Sequence, residues 1–423
     1  MKLKYLIPVL VLALTGCKND TQNNNSSTEA AAEEAIMRKA DSLAHAYIIT
    51  DGHVDLPYRL KSEGIHLITR ENGNTVINAG IGDFDLERAK KGGLDAPFMS
   101  VYIPSELQET GGAKALADSL IDLVASIAST YPEDFALANS PADVEKNFKA
   151  GKISLPMGME NGAPIEGDLK NVEYFFNRGI RYITLSHGKD NEITDSSYDT
   201  TATHTGLSSF GRKVVEEMNR VGIMIDVSHI SDSAFFDVME VTKVPVIASH
   251  SSVRKFTPGF ERNMSDEILK ALGENGGVIQ INFGSDFLDM ASQDSGNQIN
   301  EKLKAELEKQ GLTENDSAAK PFIEQLRREN PYKFSTVAKV ADHIDHVVDL
   351  IGIDHVGLGS DYDGVGDSLP EGLKDASQFP NLIAELLRRG YSDEDIAKIC
   401  YKNVFRVWNA ALEFSKGVTN VQQ

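Results

Sequence analysis

Cysteine is almost missing from this chain: Cys17 and Cys400 are the only two in 423 residues. No disulfide framework can be built from them. Basic residues are also in short supply. Lys and Arg number 42 against 63 Asp and Glu, a formal net charge of −21. That balance argues against nucleic acid as a partner, because phosphate binding needs a basic surface. Long apolar runs are absent apart from Leu6 to Leu14, which is too short to span a bilayer stably. The rest of the composition, 41% hydrophobic and 25% charged, is that of a globular protein able to bury a sizeable core. The length allows one large α/β domain or two ordinary ones.

The single apolar run belongs to a targeting segment. Lys2 and Lys4 precede it, and it ends in Leu14-Thr15-Gly16-Cys17, which resembles a bacterial lipobox. Residues 1–17 therefore read as a lipoprotein signal peptide, with Cys17 as the lipidated first residue of an exported protein. Such a protein sits in the cell envelope, on the periplasmic or surface side, and touches the membrane through its lipid only. Acylation of Cys17 leaves Cys400 without a disulfide partner, and its apolar helical surroundings suit a buried small hydrophobe. Residues 18–34 are polar and poor in aromatics and read as a disordered tether. Residues 35–423 read as one catalytic domain.

From there short β-rich runs alternate with helical patterns, as a parallel sheet wrapped by helices requires. Eight strands are predicted, at 48–51, 99–103, 153–159, 181–185, 223–227, 244–248, 278–283 and 356–359. Eight is the number that closes a (β/α)8, TIM-type barrel. Among the helices, Leu207, Phe210, Val214 and Met218 share one face and Gly222 stops it. Ser231 and Ser265 are predicted N-caps. Residues 285 to about 335 break the rhythm, being long, polar and helix-prone. They read as a helical insertion in the βα loop after strand seven, where a cover for the site would lie.

In such barrels the reactive groups stand just past the carboxyl ends of the strands. Strand one runs into His53 and Asp55, strand three into Glu160 and strand four into His187. Strand five runs into His229, strand six into His250 and strand eight into Asp361. Four of only ten histidines thus fall at one rim. Imidazole and carboxylate together suit zinc or a similar divalent ion. His53 and Asp55, two apart on a strand, are expected to share a face. His229 and His250 are expected to be neighbours, and Glu160 has two oxygens with which to bridge two ions. Each residue alone has a plainer use: a strand-end hydrogen bond for His53, a turn for Asp55, loop solvation for Glu160, helix entry for His229 and His250. Among the other histidines, His343 and His346 lie on an amphipathic helix as core or supporting groups. His45, His66 and His355 have no strand-end placement, and His204 is undecided.

The ordered motifs GLSSFGRKVVEEMNRVGIMIDVSHIS (206–231), VIASHSSVR (246–254), RNMSDE (262–267), ADHIDHV (341–347) and GLGSDYDG (357–364) resemble those of the renal (membrane) dipeptidase family of zinc peptidases. The likeness runs from about Thr50 to Val407 without the insertion. It implies a metallo-dependent hydrolase barrel with two zinc ions per chain: His53 and Asp55 on one, His229 and His250 on the other, Glu160 shared. It also implies Asp361 as the acid/base group, His187 as substrate-binding stabiliser of the tetrahedral intermediate, and Arg262 as holder of the substrate's terminal carboxylate. A planar guanidinium suits that last role, although the sequence alone equally allows a surface ion pair of Arg262 with Glu261 or Asp266.

The expected reaction is hydrolysis of dipeptides, including L,D-dipeptides. Alternatives on the same barrel are hydrolysis of N-acyl amino acids, lactones or β-lactams, or a metal-stabilised lipoprotein that binds without cleaving. A homodimer is compatible with the likeness. The sequence departs from many relatives after Glu160 (ENGAPIEGD), after His187 (GKDNEITDSSYD), and at Gly284, where relatives often carry an aromatic after Asn282-Phe283. These departures touch no expected metal ligand, and they bear on selectivity.

Overall fold

Eight parallel strands in the order β1-β2-β5-β6-β7-β8-β9-β10 form the main sheet of the computed structural model, which describes residues 20–313, 316 and 318–421. The signal peptide and Cys17 lie outside the described residues. The strands are β1 Ile49–Val54, β2 Leu94–Tyr102, β5 Met157–Glu160, β6 Ile180–Thr184, β7 Met224–Asp226, β8 Ile247–Ser251, β9 Val278–Ile281 and β10 Val356–Leu358. The first and last meet at the carboxyl end. There Val54 bridges to Tyr362, the Asp361 N–H donates to the His53 carbonyl at 3.1 Å, and the Asp55 N–H to that of Tyr362 at 2.8 Å. The (β/α)8 architecture expected from the alternation is the one observed.

Two strand predictions shift in ways that matter. The run 153–159 is not one strand. It breaks at Pro156, which has no N–H to give a ladder. Before it, β4 Ile153–Leu155 pairs with β3 Phe135–Leu137 in a separate two-stranded sheet. After it, β5 enters the barrel beside β2. The sixth barrel strand starts at Ile247 rather than Val244 and runs to Ser251, so His250 stands within its last turn of extended chain. The residues 18–34, read as a tether, are helical from Asp20 on, in a helix Asp20–Ala46. Its stretch TEAAAEEA supplies strong helix formers, and Glu33 pairs with Arg388 of a neighbouring helix.

The capping predictions hold. Ser231 accepts from the Ala234 N–H and Ser265 from that of Ile268, and Gly222 ends the helix Ser209–Val221 with φ 91°. At the amino-terminal end of the barrel, the first residues of several strands (Met224, Ile247, Val278) pack with Phe98, Tyr182 and the wholly buried Trp408 of the C-terminal helix. That end is filled and apolar, which leaves the opposite end for chemistry. Cys400 is buried and burial pushes its thiol up to about 12, so it is no nucleophile. The insertion consists of helices Ser285–Leu288, Met290–Gln310 and Lys320–Glu329. The last two pack on one another through Leu303, Leu307 and Ala319. No described helix is long and apolar enough to cross a membrane.

Candidate metal centre

The seven rim residues named from the sequence converge at the carboxyl end of the barrel. Glu160, the last residue of β5, is the hub. Its Oε2 lies 3.4 Å from His53 Nε2, while its Oε1 lies 3.0 Å from His229 Nε2, 3.3 Å from His250 Nε2 and 3.6 Å from His187 Nε2. Asp55 Oδ2 is 3.4 Å from His53 Nε2. Donor atoms close enough to hold an ion occur in three overlapping sets: His53, Glu160 and His250; Glu160, His187 and His229; His53, Asp55 and Asp361. One expectation of detail is corrected. Asp55 is not a strand residue sharing a face with His53; it lies beyond Val54 and opens the helix Leu56–Ser62. It reaches His53 because the chain turns back, not because of strand alternation.

The backbone is strained where the ligand set is built. Asn161, His229, Asp361 and Asp363 all have φ between 63 and 82°, the left-handed region that costs a residue with a Cβ of order 1–2 kcal/mol. Each follows a strand end, and the turn aims its neighbours inward.

Hydrogen bonds behind the ring fix two of the tautomers. Tyr182 Oη donates to the Gly52 carbonyl at 3.0 Å, so at its 2.8 Å contact with His53 Nδ1 it accepts. The proton is therefore on Nδ1, and the Nε2 lone pair faces the centre. His250 is held in the same way. Ser249 Oγ donates to Asp226 Oδ2 at 2.6 Å and accepts from His250 Nδ1 at 2.7 Å. Two imidazoles thus present lone pairs to the same carboxylate, the arrangement of metal-bound histidine with its supporting partners. At the centre, His53 Nε2 and Asp55 Oδ1 are buried without a hydrogen-bond partner. A cation satisfies such a donor set, and the residues present fit divalent metal.

The electrostatics agree. Burial disfavours the ionised form of Glu160, yet the surrounding imidazoles of His53, His187, His229 and His250 hold its carboxyl well below the usual range. Burial depresses His229 and His250 far below the ordinary imidazole value and keeps them neutral. Burial would also lower His53, but Tyr182, Glu160 and Asp55 raise it well above normal. Negative charge there is in excess and demands a positive partner. Asp361, whose Oδ2 accepts from Asn282 Nδ2 at 2.8 Å, is pushed up to about 7 by burial and by Asp55 and Glu160, against the pull of His53.

A cavity of about 670 Å³ opens above these groups, lined by Asp55, Glu160, His187, His229, His250 and Asp361 and walled by Tyr58, Tyr102, Tyr198 and Phe287. Tyr102 sits edge-on to His187, with centroids 4.8 Å apart. Arg262 is no surface ion-pair residue. It is 3% exposed, its Nη1 donates to Ser251 Oγ at 2.6 Å and its Nη2 to the His250 carbonyl at 2.7 Å, while Nε has no partner.

The match to a family of known proteins covers almost the whole chain: residues 37–422 fit the model described as membrane dipeptidase (peptidase family M19). The chain belongs to the membrane dipeptidase family. It is a metallo-dipeptidase. It is 34% identical to the dipeptidase tcpJ of Claviceps purpurea (strain 20.1) over 333 residues, 77% of this chain and 68% of that protein. Among solved structures it is similar to the probable dipeptidase PvdM from Pseudomonas aeruginosa, with 27% identity, a TM-score of 0.76, and coverage of 90% of this chain and 99% of that one. A metallo peptidase from Rhodobacter sphaeroides, liganded with a phosphinate mimic of L-Ala-D-Ala, shares the fold at 24% identity and a TM-score of 0.70, covering 86% of this chain and 99% of that one.

In this membrane dipeptidase several supporting residues escape sequence reasoning: Tyr182, Asp226, Ser249 and Asn282. Asp226 also accepts from the Ser249 N–H at 2.8 Å and from Thr184 Oγ1. The signal available for it is a charged residue inside the apolar strand Met224-Ile225-Asp226. Nothing marks Tyr182, apart from the Gly158 across the sheet, where a Cβ would stand 1.9 Å from the phenol ring. Of the remaining histidines, His343 is buried between the Val253 N–H and the Leu288 carbonyl, whereas His346 pairs with Asp266 near the surface.

Proposed function

We propose that this metallo-dipeptidase cleaves the peptide bond of dipeptides, L,D-dipeptides included, with two zinc ions: His53 and Asp55 on one, His229 and His250 on the other, Glu160 shared. The observation that carries this reading is the division of labour on Glu160, whose Oε2 faces His53 while its Oε1 faces His229 and His250. When bound, such a pair supplies an activated water and polarises the scissile carbonyl. The chain's own residues do the rest. Asp361, oriented by Asn282, takes the proton of the attacking water and passes it to the leaving amine. His187, lining the cavity beside Glu160, hydrogen-bonds the oxygen that becomes negative during attack. Arg262, whose guanidinium lies over Phe287 of the cavity wall, holds the substrate's terminal carboxylate. The protein acts as an exported lipoprotein held to the membrane through Cys17.

The test is a panel of L,L- and L,D-dipeptides beside N-acyl amino acids, a lactone and a β-lactam, offered to zinc-loaded protein. Dipeptide turnover that falls at least about a thousandfold in Asp361→Asn is expected, a loss of the size general acid/base groups supply. Turnover of N-acyl amino acids with no dipeptide cleaved would overturn the substrate assignment. For localisation, Cys17→Ser should move the protein from the membrane fraction to the soluble one.

A further inference from the structure

Asp286 is the one charged group of the cavity wall that neither the centre nor an ion pair accounts for. It lies on the loop after β9, in the first turn of the insertion, and lines the cavity with Phe287. The turn is held from both sides: the Ser285 N–H donates to the Ser368 carbonyl at 2.9 Å, and the Ser335 N–H to Ser285 Oγ at 3.0 Å. Asp286 itself accepts from the Tyr332 hydroxyl. The carboxylate is therefore held at the seam between the cavity wall and the insertion, with its oxygens beside Tyr332 and Gly296. No Lys or Arg pairs with it among the described residues, and the charge it feels most is another acid, Asp289. Among the described residues no Lys or Arg lines the cavity directly, and Arg262 reaches its wall only over the Phe287 ring.

The neighbours say which end of a substrate Asp286 would meet. The Arg262 guanidinium lies 5.5 Å over the Phe287 ring, Phe287 is 5.6 Å from Phe260, and Phe260 is 6.1 Å from Tyr198. An aromatic shelf thus joins the arginine to the loop that bears Asp286. A side chain with an apolar stem and a cationic tip would lie along such a shelf with its tip at the carboxylate.

We propose that Asp286 is a specificity-determining residue that makes the enzyme prefer dipeptides whose carboxyl-terminal residue carries a cationic side chain. The inference rests on the dipeptidase reading above, with Arg262 at the substrate carboxylate. The sequence departure at Gly284 opens this same loop, where a bulkier side chain would meet Phe287 at 2.9 Å and Val365 at 3.0 Å.

The test compares kcat/KM for Ala-Lys, Ala-norleucine, Ala-Glu and Lys-Ala, with both configurations of the carboxyl-terminal residue. At low ionic strength Ala-Lys is expected to exceed Ala-norleucine by roughly tenfold, as a partly desolvated ion pair allows, and the gap should shrink in high salt. Asp286→Asn, which keeps an acceptor for Tyr332, should reduce the ratio to near one. Asp286→Lys should invert the order of Ala-Lys and Ala-Glu, with metal content and circular dichroism matching wild type. A ratio near one in wild type, a ratio unchanged by both substitutions, or an Asp286-dependent preference for Lys-Ala overturns the inference while leaving the dipeptidase reading intact. Failure to cleave any of the four peptides defeats that reading instead.

Discussion

The proton on His53 Nδ1 is placed by a phenol that the sequence does not advertise. Tyr182 stands inside the barrel, donates to the Gly52 carbonyl and accepts from His53. Tyr182→Phe should therefore keep the fold, since the ring still fills its cavity, yet weaken metal binding by about 10–100-fold, the usual cost of losing a partner behind a metal-bound imidazole. Competition with a chelator measures this; unchanged affinity would refute the tautomer argument. Glu160→Gln is a sharper probe. The neutral amide has one acceptor oxygen and cannot bridge as a carboxylate's two oxygens can, so metal content and activity should fall together, and full metal retention would show the hub is misassigned. At this scale the residues that converge at the rim were legible because histidine is scarce and recurs at strand ends. Tyr182, Asp226, Ser249 and Asn282 were not, because their roles depend on which strand lies beside which, and spacing along the chain does not encode that.

At the scale of elements, strand count and order followed from the alternation, while boundaries moved where a local residue overrode the pattern. Pro156 cut one predicted strand in two, and the helix-forming TEAAAEEA stretch carried helix into residues read as unordered. That first helix is tied to the barrel by a titratable group. His45 Nδ1 lies 2.8 Å from the Asp41 carbonyl and Nε2 3.1 Å from that of Lys90. Both neighbours are acceptors, so only imidazolium satisfies both. The Asp41 carbonyl, followed by that of Lys90 and the carboxylates of Asp41 and Asp95, raises its pKa against a lowering by burial. A folded value above the unfolded one contributes stability that is complete below about pH 6.5 and lost as pH rises through the folded value. With the side chain about half exposed, screening leaves about a few tenths of a kcal/mol. Half-buried Asp95, itself pushed up to about 7 by desolvation, ionises in the same window, so the readout is the difference between wild type and His45→Gln. Thermal midpoints should differ at pH 5.5 and converge at pH 9; an equal difference at both values would contradict the linkage.

For the whole molecule, one end of the barrel is sealed by apolar side chains around Trp408 and the other gathers acid. The chain carries a net charge of −21, and of its acids Asp55, Glu160, Asp286, Asp361 and Asp363 line the cavity. A protein of that charge draws cations to its mouth, and beneath it His53 Nε2 and Asp55 Oδ1 have no hydrogen-bond partner. The proposed function requires this mouth to hold a pair of ions. Metal analysis of purified protein, followed by chelation and stepwise zinc return, reads that requirement out. Close to two equivalents per chain are expected, with dipeptide turnover complete only once the second is added. Full turnover at a single equivalent, or with no bound metal at all, would contradict the requirement.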